Sequence, residues 1–488
     1  MQHLLDSRRA PWALLAACVM AACGGGDGAA PRATWYQDVA PLLSQRCNSC
    51  HAEGGIGPFP LTDYATAKAN ASRMMHQIEI GAMPPFDARE EADCTPRFSW
   101  VDDPRLSAEQ KELLQAWIDD GFALGTEAAI PPPPSQELTG VSRTLIPDLG
   151  HATSGARDQF ICYVLDPAVT SNVAWVNGLQ VRPGLKEVVH HAVITELIAG
   201  AEQDALVAQH GIGKPFDCGT ASVPAGYLVH IWTPGNQPMQ TRPEIAVPIV
   251  RGAKLIMQIH YHPGGTTHAA DRTAIDLRFS QEWPRKMYMA TVFGNAAGAP
   301  VLQPGPGDRT GPEFRIPANS AEHIERMRAT VPAIGDVRIF SVNPHMHLVG
   351  THISASLERP TARGADPQKE CLANGGWNFD WQRTYTYDAA LDNLPSLAAG
   401  DVIEVTCRWN NTLANPFVQR MLKDANLPMQ AIDVNLGEQT VDEMCLEIFG
   451  LSINAPARPA AFAEPAALDL GAFGAPLQLM QGGLRPAR

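Results

Sequence analysis

Three tight histidine clusters stand out in the chain: His190-His191, His260-x-His262 and His345-x-His347. Residues i and i+2 of a strand point to one face, so His345 and His347 can grip one metal with both imidazoles, and His260 with His262 could do the same. Adjacent His190 and His191 point to opposite faces unless the strand bulges there. Imidazole suits zinc, copper, iron and nickel, so the residue type alone does not choose the metal. A second chemistry sits in "CNSCH", residues 47–51. In one reading Cys47 and Cys50 add to the vinyl groups of a haem and His51 takes the iron. In the other the thiols form a redox or zinc pair. A zinc site wants a second ligand pair, and none follows within about 40 residues. A thioredoxin-like centre wants a βαβ setting, whereas Trp35, Val39, Leu42 and Leu43 repeat at helical spacing here. The haem reading leads.

A haem held by His51 needs a sixth ligand, and a thioether there raises the potential. "GAMPPF" offers Met83, whose two following prolines stop a helix expected over about residues 62–80. The next helix opens on a capping box, Ser107 with Gln110, and should bury Leu113, Leu114, Trp117 and Ile118 before Gly121. This three-helix unit, residues 35–127, resembles a small monohaem cytochrome c. The resemblance implies a small all-α domain with a covalently bound haem c on Cys47, Cys50, His51 and Met83.

Exported chemistry of this kind fits the rest of the chain. Arg8 and Arg9 precede an apolar run that ends in "CGGGDG", the order of a secretory signal over residues 1–23. The run resembles a lipoprotein signal, with Cys23 as the lipidated residue and Cys18 as the alternative processing site. The expected location is the periplasm, with a lipid anchor the only membrane attachment. Of ten cysteines, two fall in the signal and two on the haem. The remaining six are even in number, which suggests disulfides. The net charge of -14 argues against nucleic acid as a partner.

With 488 residues, 41 glycines and 41 prolines, the long middle lacks helical periodicity and reads as turn-rich β structure. "IPPPPS" makes residues 128–140 a stiff Pro-rich linker. Short strands such as "QFICYVL", "KEVVHHAVITEL", "AKLIMQIHYH" and "VRIFSVNPHMHLVG" fill two all-β units, residues 141–283 and 284–455. After Pro456 the chain becomes Ala, Pro and Gly rich and reads as a loose tail, residues 456–488.

"HHAV", "QIHYH", "HMHLVG" and "DEMC", in that order and on strands, resemble the copper type II, ascorbate-dependent monooxygenases, the family of dopamine β-monooxygenase and peptidylglycine α-hydroxylating monooxygenase. The likeness covers roughly residues 141–452. It implies two β-sandwich, jelly-roll-like domains with one copper on each, facing a solvent cleft. His190, His191 and His260 would hold the electron-transfer copper. His345, His347 and Met444 would hold the copper that binds oxygen, where a soft thioether favours Cu(I). His262 is left beyond the ligands. The family also implies a Cys407–Cys445 disulfide and, by a looser match, Cys162–Cys218, with Cys94 and Cys371 unassigned. Peptide-amidating members carry Arg, Asn and Tyr where this chain has Asn343, Leu446 and Ile448, so a small, more apolar substrate is expected. The function implied is a monooxygenase using O2 and a periplasmic electron donor, whether an ascorbate-like reductant, a cytochrome or a quinol-linked donor, with haem c relaying electrons to two copper ions. The other reading is a periplasmic electron-transfer or copper-binding protein without hydroxylase activity.

Overall fold

The computed structural model describes residues 32–55, 57–135, 137–155, 157–219, 226–234, 236–295, 301–458, 468 and 470. The expected signal, with Cys18 and Cys23, lies outside them.

Most of the chain is strand, arranged as two sandwiches. In the first, one sheet runs Arg143–Leu145, Ala274–Phe279, Val173–Arg182 and Ile245–Val250, and the facing sheet runs Phe216–Asp217, Gln159–Leu165, Lys254–Tyr261, Val189–Leu197 and Tyr227–Trp232. The chain crosses to the second sandwich between Phe279 and Lys286. There Lys286–Gly294, Leu446–Asn454 and Val337–His345 form one sheet, and His323–Thr330, Val402–Trp409, Gly350–Glu358 and Lys369–Gly376 form the other.

A short parallel pairing sets Lys286 and Met287 against Ile245 and Ala246. It fuses one sheet of each sandwich into a single ten-stranded sheet. Burial patterns follow position in that arrangement. Val402–Trp409 alternates half-buried and buried residues, as a strand with one face on a core should. Leu446–Asn454 lies between two other strands and is buried at every position but the last.

The small all-α cytochrome domain expected from the sequence is not what forms. Only five short α-helices occur among the described residues, and the molecule is predominantly β. Ala40–Arg46, Tyr64–Glu79 and Ala108–Asp119 do gather around Trp35, Leu43, Leu114 and Trp117. The chain between the second and third of these helices leaves that cluster and joins the β core through Phe86, Ala88 and Trp100. Ala88 bridges Gly375 and Trp100 bridges Tyr387, and the Trp100 and Tyr387 rings stack 4.9 Å apart. A Cys94–Cys371 disulfide fastens the same stretch. Three helices this short bury little apolar surface alone, and packing on a neighbouring sheet supplies what they lack.

Two other expectations change in detail. The proline run lies on the first helix, with Ser44 Oγ donating to the carbonyl of Pro131 at 2.5 Å. From the tail, Leu470 is buried in the large core.

Candidate metal centre

His191 on Val189–Leu197 is directly opposite His260 on Lys254–Tyr261, but the next pair is Tyr261 with Val189. His190 is therefore the extra residue of a β-bulge. The bulge resolves the problem of two adjacent histidines, because it re-aims one side chain. Their three Nδ1 atoms then lie 3.2 Å (His190–His191), 3.3 Å (His190–His260) and 3.4 Å (His191–His260) apart. A point equidistant from the three is about 1.9 Å from each, close to the ~2 Å length of a metal–imidazole bond. Among the described residues this is the one group of three or more His, Cys, Asp or Glu side chains whose ligand atoms converge. Burial pushes His190 and His191 well below their usual pKa, so both rings are neutral and keep a lone pair for a metal. His260 stacks on Phe160 at 4.4 Å, and His190 stacks on Phe379 of the second sandwich at 4.5 Å.

His345 ends the strand Val337–His345, paired with Leu446. Its Nδ1 meets Gln382 Oε1 at 2.8 Å, and the His347 Nδ1 meets the Asp442 carbonyl at 3.1 Å. Each ring so held donates from Nδ1 and leaves Nε2 for a metal. Burial lowers their pKa to about 4 and about 3. Met444 is buried. The Glu443 carboxylate accepts the amides of His347, Val349, Gly350 and Met444 at 2.7–3.2 Å, and so ties the H-x-H turn to the methionine. The Cys407–Cys445 disulfide anchors the next residue.

The resemblance implies coppers facing a solvent cleft, whereas here the two histidine groups approach each other across the sandwich boundary. The His191 and His345 rings are 6.3 Å apart. Asp158 spans the same boundary: its carboxylate lies 3.2 Å from His260 Nε2 and 2.7 Å from His262 Nδ1, and accepts the Thr440 amide at 3.2 Å and its hydroxyl. His262 thus contacts Asp158 and stays out of the nitrogen triangle.

Cys47 and Cys50 are free thiols, while Cys94–Cys371, Cys162–Cys218 and Cys407–Cys445 are disulfides. Burial pushes the Cys47 thiol up to about 12, the opposite of what a reactive thiolate needs. His51 Nδ1 sits 2.9 Å from the Phe59 carbonyl, which leaves Nε2 open. Covalent haem attachment needs unbridged thiols, and Cys47 and Cys50 meet that one requirement. Cys50 and Met83 line different cavities, and neither Cys47 nor His51 lines either one. Cys50 lines a cavity of about 470 Å³ with Gln382 and Arg383, and Met83 lines a separate cleft of about 250 Å³ with Phe86 and Arg105.

Sequence reasoning passed over Asp158, Gln382 and Glu443. Glu443 had a signal, its place beside Met444 in "DEMC". Asp158 and Gln382 had none, because tertiary contacts alone bring them to the histidines.

No family model matches the chain, and no curated protein matches it. Among solved structures, the major capsid protein P2 of bacteriophage PM2 is 9% identical over 65% of this chain and 98% of its own, with a TM-score of 0.28. PNGF-II is 9% identical over 66% of each chain, with a TM-score of 0.28. The infectious bursal disease virus VP2 subviral particle is 9% identical over 70% of this chain and 77% of its own, with a TM-score of 0.17. Likenesses this weak carry no argument about fold or function.

Proposed function

We propose that the protein is an exported copper- and haem-dependent monooxygenase that hydroxylates a C–H bond of a small organic substrate. The observation that carries this reading is the meeting of a three-imidazole Nδ1 triangle with the His345–His347 pair, rings 6.3 Å apart. His190, His191 and His260 would hold one copper, and His345, His347 and Met444 the other. Copper there would supply one-electron storage and O2 reduction, so that substrate, O2, two electrons and two protons give the alcohol and water.

The protein's own groups do the positioning. Gln382 and the Asp442 carbonyl fix the ring tautomers, and Glu443 accepts the backbone amides of both His347 and Met444. Asn343 is buried and bonded to Thr384, and Leu446 and Ile448 are buried. None of the three offers a cation to a peptide carboxylate, which supports a small substrate. Three disulfides are compatible with export, and no helix among the described residues is long and apolar enough to cross a membrane. A lipid anchor on Cys23 remains part of the proposal.

The haem belongs to it through the cavity that Cys50 and Gln382 share, since Gln382 bonds His345. The deciding experiment loads the purified protein with copper and follows O2 uptake against hydroxylated product over small aromatic and aliphatic compounds. Two coppers per chain with coupled uptake support the proposal. Two coppers with reversible redox cycling and no product would make it an electron-transfer protein, and bound zinc would overturn both.

A further inference from the structure

Three residues of one short turn each touch a proposed ligand. The turn is "WNFDWQ", residues 377–382, which follows the strand Lys369–Gly376 of the second sandwich. Trp377 donates its indole N–H to the carbonyl of His347 at 2.7 Å. The Phe379 ring lies 4.5 Å from the His190 ring and 18° from parallel to it. Gln382 meets His345 Nδ1 at 2.8 Å, and its Nε2 donates to the Phe379 carbonyl at 3.2 Å. The contacts therefore run without a break from His190, on the first sandwich, to His345, on the second. Trp377, Phe379 and Gln382 are all buried. The turn is also held from outside: the Thr233 hydroxyl of the first sandwich donates to the Gln382 carbonyl at 2.6 Å, and Arg420 pairs with Asp380 at 2.7 Å. Packing this close passes a displacement at one end of the turn to the other.

We propose that this turn couples the two candidate metal sites, with Phe379 as the positioning residue that carries the coupling to His190. The coupling rests on the copper reading above. A metal held by His345 and His347 fixes those rings, and through Gln382 and Phe379 the turn then holds His190 in its place in the nitrogen triangle. The triangle's own metal has less disorder left to remove, so a filled second site tightens the first. Linkage makes the effect reciprocal, by the same factor.

The test uses the full-length protein with Cu(II) as the probe. Wild type must first bind two coppers per chain; if it does not, the copper reading fails and the coupling falls with it. With two bound, the copper affinity of the nitrogen triangle is followed by its EPR hyperfine signal. It is compared between protein whose second site can fill and a His347→Ala background, which loses a ligand there but keeps the Trp377 contact to a backbone carbonyl and the Gln382 contact to His345. The ratio of the two affinities is the coupling factor. It is measured again with Phe379→Leu, which removes the stacked ring, and with Phe379→Tyr, which keeps it. Neither substitution changes a charge, so repulsion between the two coppers is common to all and cancels. Leu should lower the factor by at least about 5-fold, and Tyr should keep most of it. An unchanged factor in Leu would overturn the proposal and leave any coupling to the direct approach of the His191 and His345 rings. So would an equal drop in Leu and Tyr, which would mark loosened packing of the turn.

Discussion

One carboxylate oxygen, Glu443 Oε2, accepts the backbone N–H of both His347, at 2.9 Å, and Met444, at 3.2 Å. Two proposed ligands that are 97 positions apart in the sequence numbering are thereby held by one buried group. Oε1 takes the amides of Val349 and Gly350. A glutamine cannot replace it, because its NH2 would face two N–H donors. Glu443→Gln and Glu443→Ala should each weaken copper at the His345–His347–Met444 site on the order of 10–100-fold, the usual penalty for losing a residue that orients ligands. The three-histidine site should keep its metal. Site-resolved copper titration checks this, and equal losses at both sites would refute it.

Asp158 reaches both His260 and Thr440, so it links the three-histidine site to the loop that leads to Met444. Asp158→Asn keeps the size and removes the charge. It should weaken copper at the nitrogen triangle about 10-fold and speed hydrogen exchange of the Thr440 amide. Unaltered exchange at Thr440 would show that the contact does not hold the loop.

The pattern of local and distant contacts explains what the sequence revealed. The spacing of His345 and His347 is local and could be read from the chain, but not where the strands stop. One ends at His345 and another at Tyr261, so His347 and His262 lie just past strand ends and the one-face argument does not hold for either pair. The bulge at His190 could be posed only as a condition, since a bulge is defined by its partner strand. The helices were legible too, down to the Ser107–Gln110 capping box. Their independence was not, because it hinges on Trp100 finding Tyr387 and Cys94 finding Cys371. Nothing near position 94 in the sequence announces a partner 277 residues away.

That disulfide sets a stability prediction. A bond closing so long a loop restricts the unfolded chain, and its loss costs about 2–5 kcal/mol in typical domains. Cys94→Ser with Cys371→Ser should lower the unfolding midpoint and expose the stretch between the second and third helices to protease. Cleavage at the wild-type rate would mean that the Trp100 and Phe86 contacts suffice.

Glu196 gives a pH prediction. It is buried in the first sandwich, accepts the Val250 amide at 2.8 Å, and burial raises its pKa from 4.5 to about 8. Below pH 4.5 both folded and unfolded states carry the proton. Between about 4.5 and 8 the unfolded chain ionises first, so stability falls as pH rises, by at most about 1.4 kcal/mol per pH unit. Glu196→Gln keeps the acceptor and should flatten that decline. Parallel thermal-unfolding curves for wild type and variant across the window would contradict it.

Gln382 offers the sharpest test of whether the cavity proposed for haem communicates with the proposed copper site. Its side chain is buried, lines the cavity with Cys50, and bonds His345 Nδ1. Gln382→Leu preserves bulk and removes the acceptor, so it should disturb both the His345 tautomer and the packed path between the two centres. If electrons arrive through this contact, turnover driven by a reduced cytochrome or quinol-linked donor should fall further than turnover driven by excess ascorbate, and haem oxidation on mixing with O2 and substrate should slow in step with the donor-driven rate. A loss confined to copper affinity, with the two activities reduced equally, would leave Gln382 as an orienting partner of His345 and place the electron path elsewhere.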